Sequence, residues 1–245
     1  MIDLRPVGYI IGLLVGVLGL TMLVPFAVDF LYGNPDAGNF ALSAMITVVA
    51  GALMALATAN ASLKALTIQQ TFLLTTLSWL VLPIFGALPF WLGEPNATYT
   101  DAFFEAMSGL TTTGSTVFTE LHTLPEGTLL WRGLMQWFGG VGIIVVAMAF
   151  LPTLKVGGMQ IFRSEGFDTI GKVLPRAAEI ATSISIVYLV LTVTCIASYA
   201  AVGMDLFDAI VHALTTVATG GFSNYDDSFA GFSDATEYVS TAFMI

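Results

Sequence analysis

Charge is what this chain has least of. Asp, Glu, Lys and Arg make up 10% of its 245 residues, whereas a soluble domain carries roughly 25%. A surface so poor in charge cannot face water over most of its area, which excludes a soluble enzyme or signalling module. Bases are scarcer than acids, seven against seventeen, for a net charge of −10. No basic cluster is present, so nothing in the chain suits nucleic acid. Cys195 is the single cysteine and stands within an apolar run, which rules out an internal disulfide or a Cys-Cys metal pair. It is read as a small residue facing lipid or core. The apolar segments hold no His/Asp/Glu metal cluster and no Ser-Lys or Gly-x-Ser-x-Gly nucleophile motif. The chain is therefore read as a non-enzyme that binds no cofactor of its own.

Apolar residues are what it has in excess: 56% of the sequence, with a mean hydropathy of +0.87. They come in continuous runs of about 20 residues or more, the signature of membrane helices. A transmembrane β-barrel would alternate apolar and polar residues instead. The fold class is an all-α polytopic membrane protein in a lipid bilayer. Spans are predicted at Val7 to Leu31, Phe40 to Ala61, Gln69 to Leu92, Leu129 to Leu154 and Ala177 to Val202, with a last apolar segment starting near Glu237. The first is longer than a signal-peptide core and lacks a clear cleavage site, so it is read as retained. Pro83 and Pro89 predict kinks in the third. Gly139, Gly140 and Gly142 predict close helix contact in the fourth, with a hinge as the alternative.

Lysine and arginine favour the cytosolic side of a membrane. With Arg5 inside, Lys64, Lys155, Arg163, Lys172 and Arg176 also fall inside, and only Arg132 falls opposite. Glu94, Asp101, Glu120, Glu126, Asp205, Asp226, Asp227, Asp234 and Glu237 all fall outside, where they raise the local cation concentration. This predicts a multi-pass protein with a cytoplasmic N-terminus.

Two stretches are near copies of one another: Thr111-Thr-Thr-Gly-Ser-Thr116 and Thr215-Thr-Val-Ala-Thr-Gly-Gly-Phe-Ser223. Each follows an apolar segment of about ten residues, Asp101 to Leu110 and Leu206 to Thr216, too short to span. Such a segment is tolerated at membrane depth only where it is buried in protein or lines a wet cavity. The unit reads span, short helix, Thr-Gly loop, span. Loops of this kind offer free backbone carbonyls that replace a cation's hydration shell, and glycine permits the backbone angles that aim them. Carbonyls of Thr112, Thr113 and Gly114, and of Ala218, Thr219 and Gly220, are the candidate cation ligands. The C-terminal ends of the short helices add partial negative charge there. Glu105 and Asp208 sit in the short helices, with Arg132 a candidate partner for either. His212 is expected to bond nearby backbone, and His122 to be solvated in an exterior loop.

With both units in view, the sequence resembles the Trk/Ktr/HKT superfamily of cation transporters, most closely its bacterial TrkH-type potassium-uptake branch. The carrying residues are Asp101-Ala-Phe-Phe-Glu-Ala-Met-Ser-Gly-Leu-Thr-Thr-Thr-Gly114, Phe207-Asp-Ala-Ile-Val-His-Ala-Leu-Thr-Thr-Val-Ala-Thr-Gly-Gly-Phe-Ser223, and Trp131-Arg132 with Gln136-Trp-Phe-Gly-Gly-Val-Gly-Ile143. The resemblance implies four helix–pore helix–filter–helix repeats of potassium-channel type around one pore, with Gly114 and Gly220 as the filter glycines of the first two. Glycine there is the family's mark of potassium over sodium. It also implies a bacterial inner-membrane location, a homodimer, and gating by a TrkA-like cytosolic nucleotide-binding subunit, for which the interior loop Lys155 to Arg176 is the natural docking surface.

The expected organisation is a two-helix region (residues 1–66), a first pore repeat (67–155), a cytoplasmic connecting loop (156–176) and a second pore repeat (177–245). Only two filter segments are present and the chain ends inside an apolar run, so the second repeat is expected to be truncated. The alternative function is an alternating-access secondary transporter, a cation symporter, which would bind substrate at broken spanning helices near the midplane.

Overall fold

The structure, a computed structural model, describes residues 3–61, 66–150 and 170–245, and their side chains except at 143–150 and 170–181. Everything regular among the described residues is helical. The first apolar run is two helices, α1 (Arg5–Thr21) and α2 (Leu23–Tyr32), joined at Met22. Pro25 causes the break, because it has no N–H to offer the carbonyl of Thr21 four residues back. Gly33, in the left-handed conformation at φ 75°, ends α2. Then α3 (Ala37–Ala57) returns across the molecule.

The third run opens on a capping box. Thr67 accepts from the Gln70 backbone, and the Gln70 side chain accepts in turn from the Thr67 N–H. It is also broken in two, into α4 (Ile68–Gly86) and α5 (Leu88–Leu92). Pro83 lies inside α4, the break falls at Ala87, and Pro89 stands in the first turn of α5, where its missing donor is harmless. After the short helix α6 (Tyr99–Leu110) comes α7 (Glu126–Phe150). Next are α8 (Ile170–Ala201), the short helix α9 (Leu206–Val217) and α10 (Asp234–Met244). One expectation changes here: Ile170 to Arg176, read from sequence as connecting loop, is already the first part of α8. Lys64, Lys155 and Arg163, which carried the orientation argument, lie outside the described residues, as do the Lys172 and Arg176 side chains.

Four segments are long and apolar enough to cross a membrane among the residues tested: Arg5–Tyr32, Ala37–Ala57, Ile68–Leu92 and Thr182–Ala201. Their outward faces are apolar, with Leu14, Val17, Leu53, Leu56, Val187 and Val190 exposed. Water would penalise that surface and hydrocarbon does not. The main core lies behind α6, where Met22, Phe40, Ala87, Phe90, Ala106, Trp131 and Met135 are fully enclosed. A second core behind α9 contains Cys195, as the sequence suggested, with Tyr199, Met204, Ala209 and Ala213.

Asp29 at the end of α2 and Asp36 in the α2–α3 turn tie one end of the bundle together. The buried Asp29 carboxylate accepts from the Gly127 N–H at 2.6 Å, satisfying a free donor in the first turn of α7. Asn34 donates to Asp29 and to Glu126, at 2.9 and 2.6 Å. Asp36 accepts from the Glu94 N–H at 2.7 Å. The Gly33 turn and the segments flanking the first Thr-Gly loop therefore share one end, as the charge pattern had placed them.

Helices α1 and α3 touch through glycine. A methyl group on Gly51 would lie 2.5 Å from the Gly16 nitrogen, and one on Gly12 would lie 2.6 Å from the Ala55 nitrogen. This backbone-to-backbone approach is how membrane helices gain dispersion contact. Gly51→Leu should force the helices apart and cost about 1–3 kcal/mol, seen as a lower unfolding temperature in detergent. Gly38→Ala, where an added methyl meets nothing within 4 Å, should leave that temperature unchanged or raise it.

Candidate functional site

The two short helices are built alike. Both have 12 residues, and both carry an acid in the first turn, Asp101 and Asp208. Thr98 caps α6 by accepting from the Asp101 N–H, and Asp205 caps α9 by accepting from the Phe207 N–H. They also end alike. In the first, the Thr112 N–H bonds Gly109 and the Thr113 N–H reaches back to Ser108, both at 2.9 Å. In the second, the Thr219 N–H bonds Thr216 at 2.9 Å and the Gly220 N–H reaches back to Thr215 at 2.8 Å.

Backbone angles repeat with the same spacing. Thr112 and Thr219 are left-handed at φ 53° and 51°, and so are Gly114 and Gly221 at 78° and 83°. Thr113 and Gly220, between them, are not. This corrects the pairing read from the sequence by one residue. Thr112 matches Thr219 rather than Ala218, Thr113 matches Gly220, and Gly114 matches Gly221. Aligning on the visible glycine misses this, because the position before it is threonine in one copy and glycine in the other.

The residue that stops each helix is thus a threonine, not the glycine that ordinarily takes this conformation. A left-handed β-branched residue costs about 1–2 kcal/mol, and it occurs here twice. None of the backbone oxygens of Thr111 to Gly114 or Ala218 to Gly221 accepts a hydrogen bond among the described residues. The loops also meet each other: a methyl group on Gly114 would collide with the Gly220 carbonyl oxygen.

Behind the loops, α7 joins them. Arg132 is 1% exposed and Glu105 wholly buried, and the guanidinium Nε donates to the Glu105 carboxylate at 2.8 Å. Glu105 also accepts from the Thr116 hydroxyl and the Val117 N–H, both just after the first loop. Arg132 Nη1 donates to the Ser223 carbonyl at 2.7 Å, just after the second loop. The guanidinium carbon lies 4.2 Å from the centre of the Phe222 ring. The partner left open by the sequence is therefore Glu105.

At the matching place in α9 stands His212, also fully buried. Its Nδ1 lies 2.8 Å from the Asp208 carbonyl and its Nε2 3.0 Å from the Ser223 hydroxyl. A carbonyl only accepts, so Nδ1 carries a proton, and in the neutral ring Nε2 then accepts from the Ser223 hydroxyl. The expected bond to nearby backbone is present. Phe229 and Phe232 pack edge-on at 5.3 Å. Asp208 accepts from Asn224 and from the Tyr225 hydroxyl, both at 2.8 Å. His122 is exposed in a short 3-10 turn, as expected. It borders a cleft of about 270 Å³ lined also by Glu126, Asp205, Asp208 and Tyr225.

Gly139 and Gly140 let α7 pass close by. A methyl group on Gly139 would strike the Leu110 carbonyl, and one on Gly140 the Tyr188 hydroxyl, while Gly142 meets nothing within 4 Å. The contact reading thus holds for two of the three. Gln136 is also on this helix, and the sequence pattern alone assigns it no role. The spacing of Arg132, Gln136 and Gly139-Gly140 places them on one helix face, which is the signal that was available.

These features define a helical polytopic membrane protein carrying two short-helix–loop units. The TrkH family model, a cation transport protein, matches residues 37–245. The chain belongs to that family. It is similar to the Trk system potassium uptake protein TrkH of Halomonas elongata, 44% identical over 247 residues covering 99% of this chain and 51% of the relative. The TrkH of Escherichia coli K12 is 43% identical over 236 residues, covering 95% and 48%. The crystal structure of the potassium transporter TrkH from Vibrio parahaemolyticus superposes with a TM-score of 0.87 at 38% identity, covering 99% of this chain and 49% of that one. The chain spans about half the length of the curated relatives it matches.

Two predictions follow from the site's charges. Arg132→Met strands a buried carboxylate and should cost about 3–5 kcal/mol; adding Glu105→Gln should recover part of that loss in thermal unfolding. Equal stability of the single variant and wild type would refute the pair's role. The second concerns Tyr225, whose hydrogen bond to Asp208, aided by burial, pushes its phenol up to about 12. Folding raises this pKa, so the bond contributes fully below about pH 10 and is lost as pH climbs through about 12. Phenolate absorbance, taken as the difference from Tyr225→Phe, should show the pKa fall toward about 10 in Asp208→Asn.

Proposed function

We propose that this chain supplies two filter segments of a potassium-uptake pore. The observation that carries the reading is the pair of touching loops whose carbonyls, Thr111 to Gly114 and Ala218 to Gly221, take no hydrogen bond among the described residues. Ala218 and Gly220 are buried and the other six residues are half-buried or exposed, so the run is reachable from outside the protein, and a dehydrated cation is a partner that such a run of oxygens suits. The ligands are the backbone oxygens of Thr112, Thr113 and Gly114 with Ala218, Thr219 and Gly220, extended to Thr111 and Gly221 by the corrected register. Potassium is the ion named for the relatives.

The pore acts in the bacterial inner membrane with the N-terminus cytoplasmic, which the charge pattern supports. The complete protein is a homodimer, controlled by a TrkA-like nucleotide-binding subunit on the cytosolic side. Within the pore the protein's contribution is to hold the oxygens where a hydration shell would have been, so that the ion gives up water without a large barrier.

Expressed from its full coding sequence in a potassium-uptake-deficient bacterium, the protein should restore growth on low potassium and carry rubidium into vesicles. Gly114→Ser should abolish uptake or admit sodium, since a side chain there meets the Gly220 carbonyl. Absence of potassium or rubidium flux from the wild type would overturn the reading.

A further inference from the structure

We propose that Gln136 is a positioning residue for ion selectivity, holding the second filter segment in register from behind. The inference rests on the potassium reading above. Gln136 is wholly buried in the middle of α7, one turn beyond Arg132. Its Oε1 accepts from the Phe222 N–H at 3.1 Å, which fixes the amide's orientation. The same amide stands directly against Gly220: a methyl group built on that glycine would overlap its carbonyl end and lie 2.7 Å from Nε2. Gln136 therefore fills the space a side chain at residue 220 would need, and it grips the backbone two residues further on.

The other end of the amide decides between a packing role and a positioning role. Nε2 is buried and has no hydrogen-bond partner among the described residues. An unmet buried donor is destabilising, whereas an apolar side chain of similar volume would carry no such penalty. Glutamine is thus a poor choice for filling space and a good one for holding the Phe222 N–H. The first segment is held differently, through Glu105 to Thr116 and Val117, and among the described residues Gln136 bonds the second segment. Together Arg132 and Gln136 secure successive residues, the Ser223 carbonyl and the Phe222 N–H. The Gly220 and Gly221 carbonyls are left with no freedom to drift when a smaller ion enters.

The test uses the full-length protein in vesicles and reads the ratio of rubidium to sodium uptake. Gln136→Leu keeps the bulk and removes the acceptor. The ratio should fall about tenfold, the factor that 1.4 kcal/mol represents. Should Gln136→Leu yield no folded protein by size exclusion, Gln136→Asn, which withdraws the amide from Phe222, carries the same expected loss. A wild-type ratio in folded Gln136→Leu or Gln136→Asn would overturn the inference while leaving the potassium reading intact. A wild type that moves no potassium or rubidium would overturn that reading and this inference with it.

Discussion

One buried guanidinium organises this molecule. Arg132 has almost no access to water, and a cation in that position is tolerable only with a counter-charge and acceptors in place. Glu105 supplies the charge and the Ser223 carbonyl a further acceptor. Those two partners belong to different short-helix–loop units, so the requirement to satisfy one side chain fixes the relative position of two chain segments far apart in sequence. Glu105 in turn holds the backbone just past the first loop. The loops cannot separate without exposing a bare charge in a low-dielectric interior, and that penalty is larger than any single hydrogen bond in the site.

The second repeat answers the same geometric problem with different chemistry. Where α6 has Glu105, α9 has His212; where Glu105 accepts from Thr116, His212 accepts from Ser223. A carboxylate there needs a cation, and α7 passes close enough to provide one. Neutral imidazole needs none, and the aromatic rings of Phe229 and Phe232 surround it. The equivalence is one of position and task rather than residue type, which is why the repeat is more exact in the backbone than in the side chains.

Sequence alone exposed the spans, because apolar run length is a direct consequence of bilayer thickness. It exposed the short helices for the same reason, being too short to cross. Proline positions were legible, although the breaks fall a few residues before Pro25 and Pro89, at Met22 and Ala87, rather than at the prolines themselves. The candidate loops were legible as repeats, but their register was not. Backbone hand is set by how each helix end closes, and a glycine in the sequence does not say which residue closes it. The Glu105–Arg132 pair was open for a different cause: Glu105 and Asp208 were both plausible partners until the packing of α7 against α6 and α9 was known.

The face of α7 explains why the loops can keep strained backbone. Left-handed threonine would ordinarily relax, since nothing in a free loop repays a cost of about 1–2 kcal/mol per residue. Here relaxation is blocked from outside. Gly139 brings the α7 backbone against the Leu110 carbonyl and within 3.1 Å, at its notional methyl position, of the Thr112 methyl. Gly140 does the same beside Ala218, the residue before Thr219. One turn back, Gln136 fills the space at Gly220, and one turn further, Arg132 holds Ser223. A single helix face thus constrains both left-handed threonines and the residues that follow the second. Strain held by a packed helix, rather than by the loop's own bonds, leaves the loop carbonyls free of protein donors among the described residues.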